Sequence, residues 1–439
     1  MRTRTPKTLF LIALCSFLCS SLCMNISKAA AASKQPLTQA DFKYIGAFQM
    51  PPSLPSGAET SFGRGLAYRY VNGELRMFST TWNPQTIYEV RVPSPSLNAP
   101  YPTASFVRDW GSDWWGKSYT ANGGATLFGL YWDEQDKRLY WSYGNEYNTQ
   151  GGDDPSIGYM TLNDSAGSTT LVGIWRFSKG PKATLGCITP IPQWFSDAYT
   201  SGKRLGAGCG GPQSAISSGG VSMGPALTAF TPPDIATQPD RSTITGTDLV
   251  GYPFTDVVYG PPDRAHRDTN YQVDDSSWMG WVPKNGVGYW TDGDWLGQSG
   301  TWVDLPNKHG VMFFPTQVTG HFYYQSSTIW GGGAEHAWYV YDPADLAKVA
   351  QGQKQQWEIQ PTWWSVQYPG LSYPLPSWND MDPNLVTGVT FDPTTRRLYV
   401  AVLLAGSGGT YGVHKVYVYE VQSGSDSTIP AAPTRLRVR

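Results

Sequence analysis

Histidine is scarce in this chain and unevenly spread. Of the five, His266, His309, His321 and His336 fall within about seventy residues, and only His414 lies elsewhere. An imidazole titrates near neutrality, so it suits proton removal close to pH 7. His266 sits in Asp263-Arg-Ala-His-Arg-Asp268, flanked by Arg264 and Arg267; His321 leads Phe322-Tyr-Tyr324. A base beside a cation is what β-elimination on a uronate requires. The cation neutralises the sugar carboxylate, and the base takes the proton α to it. His266, Arg267, His309, His321 and Tyr323 form the candidate catalytic group for such a lyase. The histidine spacings of 43, 12 and 15 match no metal motif, so no metal is expected there.

Carboxylates offer a second chemistry. A glycosidase needs two carboxyl groups about 5–10 Å apart, and Asp268, Asp292, Asp294, Glu335 and Asp380 are available. Aromatic residues are plentiful, with 19 Trp and 26 Tyr. Trp132, Trp141 and Tyr399 lie in hairpin patterns and read as core. Trp114, Trp115, Trp295 and Trp363 instead lie in polar or glycine-rich stretches, Trp295 beside Asp292 and Asp294. An indole face covers the C–H surface of a sugar ring while polar neighbours bond its hydroxyls. These six residues are therefore the candidate substrate-binding set, and packing on a rim is the alternative use of the tryptophans. The Asp292-Gly-Asp294 run lacks the rest of a calcium loop, so no cofactor is expected, with structural calcium as the one ion the pattern allows. No nucleophile elbow, phosphate loop or dinucleotide fingerprint occurs.

The N-terminus explains where such chemistry would operate. Arg2, Arg4 and Lys7 precede an uncharged apolar run from Leu9 to Cys23, then small residues that offer cleavage after Ala31 or Ala32. That order marks a secretory signal peptide over residues 1–32, and the run is short of the roughly 20 residues that span a bilayer. Its loss removes four basic and no acidic residues, taking the formal charge from −2 to −6. A mildly acidic exported chain without a basic cluster excludes nucleic acid and anionic membrane as partners. Only Cys187 and Cys209 remain, and in an oxidising compartment the pair reads as a disulfide. Zinc is the weaker alternative, since nothing nearby completes a site.

The elements that must position these residues are strands. Gly65 to Phe78, Gly129 to Trp141 and Gly388 to Val400 each show Gly, apolar residue, x, aromatic, a polar turn, then a second strand. A diverged copy runs from Trp278 to Trp290 around Asn285-Gly286. Strands at 86–92 and 415–421 follow the first and last hairpins. Repetition of one hairpin-plus-strand unit predicts a single all-β propeller over residues 33–424, in preference to a sandwich. Seven blades are expected, with five or six as alternatives. The lone strand Phe42–Phe48 should complete the last blade and close the ring. One short helix is predicted after Asp342-Pro343, and residues 425–439 read as a linker-like tail.

Tyr44-Ile-Gly-Ala-Phe-Gln-Met-Pro51, Gly65-Leu-Ala-Tyr68 and Ile87-Tyr-Glu-Val-Arg-Val-Pro93 together resemble secreted bacterial β-propeller proteins that open with a Gly-Ala-Phe-x-hydrophobic-Pro strand; Lys308 to Phe314 fits the same pattern. The tail Ile429 to Val438 is similar to the first strand of a fibronectin type III module. The resemblance covers most of the chain and implies the fold, not a chemistry. The residues themselves point to a secreted carbohydrate-active enzyme on extracellular polysaccharide, with elimination ahead of hydrolysis. A non-catalytic glycan- or protein-binding propeller is the alternative.

Overall fold

The computed structural model describes residues 34–422 except 62, 82–84, 113–125, 145–155, 179–185, 210–223, 253–256, 260–279, 284–289, 292–298, 326–327, 374–377, 380–383 and 404–411; at 126, 144, 209, 257–259, 280–283, 290–291, 316–325, 328–334 and 378–379 only the backbone is described. The expected signal segment and C-terminal tail lie outside these residues.

After a two-residue strand at Gln35–Pro36 comes strand β1 (Phe42–Gln49), whose partner is the last of the described strands. The first blade is β2 (Ala67–Val71), β3 (Glu74–Thr80), β4 (Ile87–Arg91) and β5 (Ser105–Gly111), paired in sequence. The β2–β3 turn is Asn72-Gly73 with both residues at positive φ, the two-residue hairpin loop its sequence predicts. The second blade is β6 (Thr126–Asp133), β7 (Arg138–Gly144), β8 (Ile157–Asn163) and β9 (Ser168–Phe177). In the third, β10 (Cys187–Pro190) reaches its partner only after helix α1 (Gln193–Tyr199), followed by β11 (Leu205–Cys209), β12 (Ala226–Phe230) and β13 (Thr247–Val250).

A small sheet of β14 (Val257–Tyr259), β15 (Gly280–Pro283) and β16 (Trp290–Thr291) then interrupts the series. The fourth blade contains β17 (Gly300–Asp304), β18 (Lys308–Phe313), the long hairpin β19 (Thr316–Gln325) and β20 (Thr328–Tyr341), helix α2 (Pro343–Ala350) and β21 (Thr362–Val366). Helix α2 begins as expected: Asp342 caps it, accepting from the Ala344 amide at 2.8 Å, with Pro343 in the first turn. The fifth blade is β22 (Val386–Asp392), β23 (Arg397–Val402) and β24 (Lys415–Val421), and β1 pairs antiparallel with β24 to supply its fourth strand.

The ring therefore has five blades, not seven. Innermost strands β2, β6, β10, β17 and β22 each lie beside the next, and β22 lies beside β2. The core confirms the count, because five buried clusters fill five blade interfaces. Phe78 and Trp141 pack between the first and second blades, Tyr140 and Phe230 between the second and third. Trp302 and Val311 lie between the third and fourth, Val303 and Val400 between the fourth and fifth. Met77 and Tyr399 join the fifth blade to the first. Neighbouring residues such as Met77 and Phe78 enter different clusters because successive side chains leave opposite faces of a strand. The diverged hairpin expected from Trp278 to Trp290 does pair, Trp281 against Trp290, but within the inserted sheet and not as a blade.

No disulfide is seen among the described residues. The ladder sets Cys187 opposite Gly208 and Cys209 opposite Ala226, so the two cysteine backbones are one step out of register. Cys187 is buried on β10, and the Cys209 side chain lies outside the described residues.

Candidate functional site

Five innermost strands enclose an axial channel with two ends: a leading mouth where they begin and a trailing mouth where they finish. Near the start the channel narrows to about 10 Å³ between Gly65, Gly129, Gly186, Ser299 and Gly388. Small residues are needed there because neighbouring blades meet. A Cβ on Gly388 would lie 2.7 Å from the Leu66 Cβ, and one on Gly129 would lie 3.1 Å from the Cys187 Cα. The glycine that opens each recognisable hairpin motif is thus the residue that lets the ring close.

Beyond this neck the channel widens into a cavity of about 560 Å³ at the trailing mouth, with lining residues from all five innermost strands. Tyr68, Tyr70, Tyr131, Trp132, Trp302 and Phe391 supply aromatic surface. Its charged groups are already engaged. Arg69 donates to Glu89 and to Asp164, both through two bonds of 2.6–2.9 Å. Glu134 accepts from Trp132 Nε1 at 2.7 Å and pairs with Lys137. Asp304 accepts from Lys34 at 2.6 Å and from Trp194 Nε1 at 3.1 Å. Beside the cavity, Asp392 accepts from the Tyr70 hydroxyl at 2.7 Å while bonding the Thr394 amide and the Thr395 hydroxyl of its own turn. Burial, with the Asp392 charge adding, holds the Tyr68 phenol well above its ordinary pKa; burial and then Asp133 do the same for Tyr131.

The residues singled out from sequence divide between the two ends. His309 opens β18 near the trailing mouth. It is 1 % exposed, stacked on Trp194 with ring centroids 5.8 Å apart, and its Nε2 lies 3.4 Å from Asp342 Oδ1. Trp363 is on β21 at the outside of the fourth blade, edge-on to Tyr339. Trp114, Trp115, His266, Arg267, Asp292, Asp294 and Trp295 lie outside the described residues. For His321 and Tyr323 the backbone of β19 is described, with Tyr323 opposite Trp330.

Strand connectivity still relates these positions. Trp114 and Trp115 fall between the end of β5 and the start of β6. His266, Arg267, Asp292, Asp294 and Trp295 fall between the end of β13 and the start of β17. The β19–β20 hairpin extends from the end of β18. Each of these strand ends faces the leading mouth.

Two further histidines are buried there. His336 is fixed in one tautomer: its Nε2 donates to the Asn384 carbonyl at 2.5 Å, so its Nδ1 accepts from the Tyr373 hydroxyl at 2.6 Å. His414 lies 2.9 Å from the Thr387 hydroxyl through Nε2. Burial pushes both imidazoles down to about 4. Glu335, next to His336, is half-buried, and its charge adds to the burial that raises the Tyr373 phenol. Among the described residues no group of three His, Cys, Asp or Glu could hold a metal ion. The trailing cavity is not legible in the sequence because its lining comes from separate strands, such as Tyr68 on β2, Tyr131 on β6 and Thr390 on β22, at positions the repeat motif presents as core.

No protein-family model matches the sequence, and no curated protein matches it. Among solved structures, a candidate glycoside hydrolase from Bacteroides ovatus aligns at 12 % identity and TM-score 0.39, over 88 % of this chain and 93 % of that one. The α-L-arabinofuranosidase PaAbf62A from Podospora anserina, solved with cellotriose, aligns at 9 % and 0.36, over 87 % and 98 %. A structure from work on the GH130 family of mannoside phosphorylases, said to contain glycoside hydrolases targeting β-1,2-mannosidic linkages in Candida mannan, aligns at 11 % and 0.39, over 91 % and 99 %. These alignments are distant, each with a TM-score below 0.4. The class defined by the ladders themselves is a five-bladed β-propeller with an inserted three-stranded sheet.

Proposed function

We propose that this chain is an exported carbohydrate-active protein that cleaves extracellular polysaccharide at the leading mouth of its channel. The observation supporting this is the connectivity just given: the stretches bearing indoles, carboxylates, His266, Arg267 and His321 all join strand ends on one side of the ring. Trp114, Trp115 and Trp295 would carry sugar rings. Glu335 and one of Asp292 or Asp294 would serve as the carboxyl pair of a glycoside hydrolase.

Hydrolysis moves ahead of elimination because His309, one of the candidate bases, is buried against Trp194. Elimination is the second reading, favoured by the adjacency of His266 and Arg267, with His321 or Tyr323 as the other base candidates.

The test offers neutral and acidic polysaccharides to the mature chain. New reducing ends without ultraviolet absorbance identify hydrolysis, and absorbance from an unsaturated uronate identifies elimination. Glu335→Gln should lower hydrolytic turnover about 100-fold or more, and His266→Ala should do so for elimination, each with Tm nearly unchanged. Retention on immobilised glycan without either product would leave a binding module. No product and no retention would refute the glycan reading.

A further inference from the structure

The trailing cavity has no part in the reaction proposed above, yet it is furnished for a ligand. Its volume of about 560 Å³ lies within the range of small-molecule sites. The polar groups on its wall are of an unusual kind. Its charges are neutralised in place: Arg69 by Glu89 and Asp164, Asp304 by Lys34, Glu134 by Lys137. Of its hydroxyls, that of Tyr70 is held by Asp392, but four others are not held. Tyr68, Tyr131, Thr301 and Thr390 line the cavity, and none of the four side chains has a hydrogen-bond partner among the described residues. Thr301 and Thr390 line it while only 5 % and 8 % exposed.

A hydroxyl both donates and accepts. Four of them around aromatic walls, with no unpaired charge, complement a molecule that is itself neutral, rich in hydroxyls and apolar on its ring faces. We infer that the trailing cavity is a second, non-catalytic binding site for a neutral mono- or disaccharide unit. A uronate would leave its carboxylate without a free cation there, and burying an unpaired charge is strongly unfavourable. The site is separate from the leading mouth, so it stands or falls without the reaction assigned to that end.

The test uses the mature chain and a panel of cellobiose, xylobiose, mannobiose and maltose, with galacturonate as the charged comparison. Binding is followed by calorimetry and by tryptophan fluorescence, since Trp132 and Trp302 line the cavity. At least one neutral disaccharide should bind in preference to galacturonate. Tyr68→Phe/Tyr131→Phe keeps both rings and removes two hydroxyls, and should weaken binding about 10-fold or more. Thr390→Trp fills the space and should abolish it, while His266→Ala leaves it unchanged. Absence of binding by every neutral sugar overturns the inference, as does galacturonate binding equally well. A sugar that binds both cavity variants with unaltered affinity also overturns it, and directs attention to the leading mouth, whose glycan reading would stand.

Discussion

The Arg69 guanidinium forks onto the Glu89 carboxylate through two 2.8 Å bonds, Nε to Oε1 and Nη2 to Oε2, with both side chains at most 3 % exposed. Arg69 sits on the innermost strand of the first blade and Glu89 on the third. The opposite edge of the guanidinium holds Asp164, in the β8–β9 turn of the second blade, and lowers that carboxyl's pKa. Trp110 Nε1 adds a 3.0 Å bond to Glu89. One cation therefore ties two strands of one blade to its neighbour.

Arg69→Ala would leave the buried Glu89 without its bidentate partner, with only the Trp110 bond and the more distant Arg76 guanidinium at 3.9 Å. The expected loss is about 3–5 kcal/mol. Replacing both partners with apolar residues, Arg69→Met with Glu89→Leu, should recover much of it, because the lone buried charge is gone. Urea denaturation of the two variants measures the difference, and equal stabilities would contradict the assignment.

Gly388→Ala should destabilise by about 1–3 kcal/mol through overpacking. The added methyl would meet the Leu66 Cβ at 2.7 Å and the Gly65 carbonyl carbon at 2.8 Å, both on the segment that opens the first blade. A thermal unfolding scan reads this directly. An unchanged Tm would mean that the neck has slack.

Acid should weaken the fold before most carboxylates titrate. His336 and His414 remain neutral in the folded protein down to about 4, while in the unfolded chain they protonate near 6.5. Between those values the unfolded state binds more protons, so stability falls as pH falls. The full effect is roughly 3 kcal/mol for each imidazole once pH nears 4. Tm measured from pH 7 to 5 should decline, and the decline should be shallower in His336→Gln/His414→Gln. Parallel slopes would refute it.

Deleting residues 34–49 removes β1 and bares the edge of β24. The shortened chain should lose its sharp unfolding transition, and a synthetic peptide of residues 34–50 should restore it. A deletion variant that melts like the parent would show that closure needs no fourth strand.

Much of this architecture was legible in the residues, and the illegible parts have physical causes. Three hairpins with turns of a few polar residues stood out, as did the Asp342 cap and the closing strand. The third blade was hidden because α1 separates β10 from β11, so no short turn marks the pair. The fourth was masked by the Trp281–Trp290 pairing, which has a hairpin pattern but lies in an inserted sheet. Patterns of two strands cannot say which sheet they join. Histidine was the less reliable guide: at His309 and His336 the polarity that suggests chemistry serves packing against Trp194 and Tyr373.

Pairing of Phe42 with Val421 and of Gln49 with Lys415 has a consequence in time. A ribosome releases Phe42–Gln49 long before Lys415–Val421. While the intervening sheets are being made, Phe42–Gln49 has no ladder to join, however well those sheets have formed. Completion of the circle is therefore a single event that awaits Lys415–Val421, and a chain cut short before them is left ajar.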